Sequence, residues 1–239
     1  TENKLTQLLT PKVLLRYAPD YMRKESNGAK LNHLNIFTLD RLNTNNNFEG
    51  GLSATIGFDY ELQGSNNQKQ FGLKMGQVVN EKENKNMPSS SSLDEKLSDV
   101  VGNMSYQLNE KTSLNYNFAI DQNYNDLNFN EISTDIDLET IKFNFGYLQE
   151  KKHIGDQEYM RAKIDLVKSS NGLFSAETKR NLVTNSAEYY NLSYEYLNDC
   201  LRAGIVYRRE FYEDSELEAE NSLMFKITFV PFGNINSPS

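Results

Sequence analysis

The residues able to do chemistry in this 239-residue chain are few: His33, His153, a single cysteine at position 200, and scattered carboxylates and guanidiniums. A nucleophilic hydrolase needs a serine or thiol beside a histidine that a third group orients. Neither histidine has such a neighbour at a distinctive spacing, and both fall in loops or at loop edges, where a solvated imidazole is expected. No His, Cys, Asp and Glu set has the spacing of a zinc site. The acidic pairs Glu139 with Asp137 and Asp214 with Glu213 fit solvated faces better than paired general acids. Arg208, Arg209 and Lys226, near the end of the chain, can meet phosphates through charge-assisted hydrogen bonds or balance carboxylates such as Glu210. Cys200 has no partner within the chain, so it points to a bond outside it or to a free, partly buried thiol. Neither catalysis nor a metal or cofactor is expected.

A long series of alternating segments positions these residues. Leu52, Ala54, Ile56, Phe58, Tyr60 and Leu62 share one face, and Ser53, Thr55, Gly57, Asp59 and Glu61 the other. The same period of two recurs in Leu114–Ile120, Ile132–Leu138, Ile141–Tyr147, Met160–Leu166 and Leu223–Phe229, which is the mark of strands with one apolar face. The segment 173–182 is the weakest, since Phe174 and Ala176 give way to Thr178 and Arg180. Strands are predicted at 12–18, 49–62, 70–79, 98–108, 112–122, 131–138, 141–149, 158–168, 173–182, 189–197, 200–212 and 221–230. Their length, about ten residues, crosses a bilayer when tilted. No useful helical period appears. The one hint is SLDEKL, where Ser92 and Glu95 have capping-box spacing. It sits inside the polar low-complexity run 80–96, expected to be a mobile loop.

The connections carry the class. Those from odd to even strands are 19–48, 80–97, 123–130, 150–157, 183–188 and 213–220. Those from even to odd are 63–69, 109–111, 139–140, 169–172 and 198–199. An up-and-down meander puts each set at one end of the sheet, and the two longest connections fall in the same set. Long loops at one end and tight turns at the other are characteristic of outer-membrane barrels, whose long loops are extracellular. A mean hydropathy of -0.67 argues against a membrane helix, but a barrel needs apolar residues only at alternate positions. Tyr17, Tyr60, Tyr106, Tyr124, Tyr147, Tyr159, Tyr196 and Tyr212 lie near strand ends, where an aromatic girdle belongs. The net charge of -8 and the absence of a basic stripe set nucleic acid aside. The predicted fold is all-β: an antiparallel up-and-down transmembrane barrel of about twelve strands. A porin with a folded-in eyelet loop, for which 19–48 is long enough, and a lipid-modifying barrel enzyme are the alternatives. The chain opens on Thr1 without a signal peptide, so a processed or partial sequence is expected.

Two blocks resemble a known family. The tail YEYLNDCLRAGIVYRREFYEDSELEAENSLMFKITFVPFG, 194–233, looks like the C-terminal end of the lipopolysaccharide-assembly barrel LptD. LTPKVLLRYAP followed by NIFTLDRLNTNNNFEGGLSATIGFDYEL resembles that family's Phe-x-x-x-Asp-Arg loop and the strand after it, through Phe37, Asp40, Arg41, Glu49 and Gly50. The resemblance implies a very large barrel of the Gram-negative outer membrane, preceded by a periplasmic jellyroll, plugged by the lipoprotein LptE and fed with lipopolysaccharide by periplasmic bridge components. Residues 1–239 would then be the C-terminal part of such a barrel, without the jellyroll and the earlier strands. It further implies that 221–230, with Leu223, Phe225, Ile227, Phe229 and Pro231, is one lip of a lateral gate. Pro231 equally suits a plain strand end. Finally, it implies that Cys200 bonds the periplasmic N-terminal domain, and Asp199 allows at most one such bridge.

Overall fold

A computed structural model of the chain describes residues 5–19, 21–26, 28–44, 47–64, 68–153, 155–169, 171–198, 201–211 and 221–229. In chain order its strands are β1 (Thr6–Ala18), β2 (Gly51–Gln63), β3 (Lys69–Asn80), β4 (Val100–Asn109), β5 (Thr112–Ile120) and β6 (Leu127–Leu138). They continue as β7 (Ile141–Glu150), β8 (Gln157–Ser169), β9 (Gly172–Asn181), β10 (Ser186–Leu197), β11 (Leu201–Glu210) and β12 (Asn221–Phe229). All twelve form one sheet whose spatial order is the chain order, so the connections sort by parity as predicted. The largest departure is β1, which starts at Thr6 instead of 12 because Pro11 is accommodated opposite Phe58.

The two faces of the sheet have opposite character, and the apolar one is exposed. Val13 and Leu15 of β1 are 69% and 73% exposed, and Phe225 and Ile227 of β12 are 71% and 65%. The intervening Arg16 on β1 and Ser53 and Thr55 on β2 are buried. A dry two-layer sandwich demands the reverse. Tyr60 and Phe71 meet on the apolar face with centroids 6.1 Å apart, and Tyr17, Tyr106 and Tyr196 are exposed there. Tyr159 departs from the predicted girdle: its ring lies 4.0 Å under Lys179 Nζ, on the polar face. Tyr212 lies outside the described residues.

The chain falls into two compact units, 1–133 with 148–158, and 134–147 with 159–239. In the first, an apolar cluster of Met22, Leu31, Ile36, Leu42, Met87 and Leu93 from the loops packs on Val78, Val101 and Ala119 of the strands. In the second, the polar face is a ladder of ion pairs. Arg161 and the Tyr189 hydroxyl both donate to Glu177 Oε1, at 2.8 and 2.6 Å, and Lys163 meets Asp165 at 2.8 Å.

The expected solvated run 80–96 is instead folded into the first unit. It contains one 3-10 turn, Ser89–Ser91, and no capped helix at SLDEKL. Ser92 adopts φ 64° after that turn and accepts a hydrogen bond from the Asp99 N–H at 2.6 Å. Leu93 is completely buried. Four consecutive serines and the charged flanks hid the apolar anchors Met87 and Leu93, too few and too far apart to register as a pattern.

Candidate functional site: the loops seated on the polar face of the first unit

The loop after β1, 19–50, holds itself in shape before it meets the strands. Asn32 Oδ1 accepts from the Leu34 and Asn35 N–H groups at 2.8 and 3.1 Å, and Asn35 Nδ2 donates to the carbonyls of Lys30 and Arg41. Such side-chain bonds to local backbone favour turns over regular structure. Asp40 Oδ1 accepts from the Asn43 N–H at 3.0 Å, and Asn43 takes φ 50°, a conformation asparagine tolerates. The loop after β3 is stitched to it: Glu25 N–H donates to the Asn86 carbonyl at 2.8 Å, and Asn86 Nδ2 to the Met22 carbonyl at 3.1 Å.

The turn so formed sits on a glycine floor. Gly57 of β2 and Gly76 of β3 are cross-strand partners. A Cβ on Gly57 would lie 2.8 Å from Phe37 Cζ, and one on Gly76 would lie 2.9 Å from Ile36 Cδ1. Any larger residue there would push the turn off the wall. Lys12 Nζ stands 5.6 Å from the Phe37 centroid and is bonded to Asp59 at 2.6 Å.

Beside this floor lies a buried charge cluster. Arg41 is 0% and Glu49 1% exposed. The guanidinium grips the carboxylate in bidentate fashion, Nε to Oε2 at 2.8 Å and Nη2 to Oε1, and also donates to Ser53 Oγ at 3.0 Å and Thr55 Oγ1 at 3.3 Å. Arg16 approaches the same carboxylate and donates to the carbonyls of Leu39, at 2.9 Å, and Glu49. Two cations facing one carboxylate leave surplus positive charge, which these carbonyl dipoles partly offset. At the far side of the loop, Lys30 bonds Glu150 Oε2 at 2.8 Å and lies 3.0 Å from the Phe129 centroid.

Phe37, Asp40, Arg41, Glu49 and Gly50, singled out from sequence, are thus brought into one seated loop, with the Gly50 carbonyl accepting from Asn84 Nδ2 at 3.4 Å. Leu223, Phe225 and Ile227, expected from the resemblance to line a gate, are exposed on one face of β12, and Phe229 ends that strand. Cys200 and Pro231 lie outside the described residues. Arg208 meets Glu210 at 2.5 Å on the polar face and stacks on Tyr189 at 4.8 Å, the carboxylate-balancing role of the two considered. Sequence reading missed Arg16, Lys30 and Glu150. The signal for Arg16 was present: a lone guanidinium on the face opposite Leu15 and Tyr17, in register with Ser53.

His33 is half-buried, not solvated. Burial, and then Lys74, lower its pKa from the ordinary value, while Asp59 and Glu131 oppose them. The seated loop therefore binds this proton less readily than a released loop does. Its seating is intact above the free imidazole pKa of about 6.5 and weakens as pH falls below it. Amide protection factors across 28–42, taken relative to the intrinsic exchange rate at each pH, are expected to fall as pH drops from about 8 to about 5, and His33→Gln to flatten that dependence.

Among the described residues no helix is long and apolar enough to cross a membrane, which leaves crossing by strands untouched. The profile of a family described as LptD, LPS transport system D, matches residues 1–191. The chain belongs to the LptD family. That places it in a family of outer-membrane proteins that transport lipopolysaccharide, a transport and assembly role distinct from catalysis. An all-β sheet with an exposed apolar face fits a portion of such a barrel's wall. The match contains the seated loop and both flanking strands. The tail 194–233, the other block of resemblance, lies wholly beyond it. No curated protein matches the chain.

Proposed function

We propose that this chain is the C-terminal portion of an LptD barrel that releases lipopolysaccharide into the outer leaflet through a lateral gate, with β12 as one lip. The observation that carries the reading is that, among the described residues, β12 has a single neighbour, β11, in the sheet order, while Leu223, Phe225 and Ile227 present an apolar face. An unpaired ladder edge is costly in lipid, so a strand that can lose its second partner suits a gate. The loops 19–50 and 81–99 act as a stopper over the lumen. The central charges of loop 19–50, Arg41 and Glu49, are buried and paired with each other, whereas a porin eyelet needs its charges facing an open constriction. An LptE-like lipoprotein fills the rest of the lumen, and periplasmic bridge components supply the substrate. Earlier strands and a jellyroll encoded upstream complete the protein.

A photoreactive benzoylphenylalanine replacing Phe225 tests the gate in living cells. Lipopolysaccharide adducts are expected, and they should fade when the bridge components are depleted. Adducts indifferent to that supply contradict a gate at β12.

Cys200, which in sequence falls between β10 and β11, belongs in this orientation to a periplasmic connection and bonds the N-terminal domain. In the intact protein, Cys200→Ser is expected to abolish the mobility difference between reduced and non-reduced gels; identical mobility before the substitution would rule out the bridge.

A further inference from the structure

The lipid-facing side of the second unit carries a recess. This shallow, open recess of about 280 Å³ is lined by Phe143, Ala162, Ile164, Ala176, Tyr190 and Leu192. Register explains its shape. Ala162 pairs with Thr178 and Ile164 with Ala176 across β8 and β9, and these pair onward with Tyr190 and Leu192 of β10. Short side chains on β8 and β9 therefore lie low beside taller ones from β7 and β10. Its lining spans two cross-strand rows on the outward face, Ala162–Thr178–Tyr190 and Ile164–Ala176–Leu192.

At the head of the first of these rows stands a cation. Tyr190 pairs with Arg209 of β11, which shares its outward face and is exposed. The Arg209 guanidinium lies 4.7 Å over the Phe211 ring, and Phe211 meets Tyr190 edge-on with centroids 5.3 Å apart. Among the described residues, Arg209 is paired with no carboxylate. One pair further toward the long loops, Arg180 also faces outward and is anchored to Asn185 Oδ1 at 2.6 Å. A guanidinium on a lipid-facing wall is tolerated where it reaches the headgroup layer, and there it meets phosphate.

We propose that this recess holds one acyl chain of a lipopolysaccharide molecule resident in the outer leaflet, with Arg209 binding a phosphate of its headgroup. Two features select this occupant. The recess is continuous with the hydrocarbon-facing wall, and its cation lies at the long-loop end of β11. The proposal rests on the orientation adopted above, in which that end faces the outer leaflet. The slot is separate from β12 and from the lumen, and holds lipid whether or not transport is running.

The test uses the intact protein in cells, with photoreactive benzoylphenylalanine replacing Thr178 within the slot or Ile56 on the open wall of β2. Adducts are identified by mass as lipopolysaccharide or glycerophospholipid, and heat-modifiable gel mobility confirms that each variant is folded. The Thr178 position is expected to give about tenfold more lipopolysaccharide adduct than Ile56, unchanged when the bridge components are depleted. Arg209→Gln should lower that yield about tenfold, the loss of one charge-assisted hydrogen bond, and Arg209→Lys should restore most of it. Equal yields at Thr178 and Ile56, a glycerophospholipid adduct, or indifference to Arg209→Gln would each overturn the proposal. Failure of the gate reading shows separately, as supply-independent adducts at Phe225.

Discussion

Replacing Arg41 by methionine is expected to unseat loop 19–50 from the wall, at a cost of about 3–5 kcal/mol, the loss typical of a buried ion pair broken on one side. The cost is not the strength of the pair itself. It comes from leaving Glu49, 1% exposed, with only the more distant Arg16 and no bidentate donor. Ser53 and Thr55 lose their donor as well. The loop should then become a protease substrate on intact cells, and large antibiotics that the outer membrane excludes should enter. A second variant separates charge from shape. Adding Glu49→Leu and Arg16→Met to Arg41→Met removes all three buried charges of the cluster, and such replacements are often neutral or better. The triple variant should regain most of the protease resistance. If the single variant is as resistant as the unmodified protein, the loop is held by something other than this cluster.

Leu93→Ala should be nearly as damaging, although the residue lies in a run that looks like a solvated linker. Leu93 is 0% exposed and belongs to the apolar cluster with Leu31, Ile36 and Leu42. Truncating a buried leucine removes its transfer energy and leaves a cavity, about 2–5 kcal/mol together. The damage should be local. Amide exchange should quicken across 28–42 and 84–98, while the ladder of β8 to β11 keeps its protection. A mobile surface loop predicts no change in either region, so exchange rates decide between the two descriptions. Lys85→Ala, a few residues away and strongly exposed, serves as the control and should be silent.

The parity of the connections survived because it depends on strand count and spacing, which a period of two records directly. The same period assigned every outward residue of β2, β5, β8 and β12 correctly, even in 173–182, where Thr178 and Arg180 do face outward with Phe174 and Ala176. Those two polar residues weakened the pattern, and one of them, Thr178, lines the proposed lipid slot. Tyr159 was misassigned because a tyrosine near a strand end reads the same whether its ring faces lipid or lies beneath Lys179. Strand parity, placing Tyr159 with Arg161 and Lys163, would have resolved it.

By itself, the order of residues determined the twelve strands, their two faces and which end carries the long loops. These follow from short-range alternation and from covalent spacing, and neither depends on what packs where. It also marked Phe37, Arg41 and Glu49 as a motif, without saying what they touch. Only the tertiary structure decided that the loops turn back onto the polar face. That outcome rests on contacts between residues far apart in the chain: Arg41 on Ser53, Ile36 on Gly76, Glu25 on Asn86, Lys30 on Glu150. A buried guanidinium and an exposed one are the same letter in a sequence. What distinguishes them is whether a carboxylate and two hydroxyls converge on the site, and convergence is a property of the folded chain.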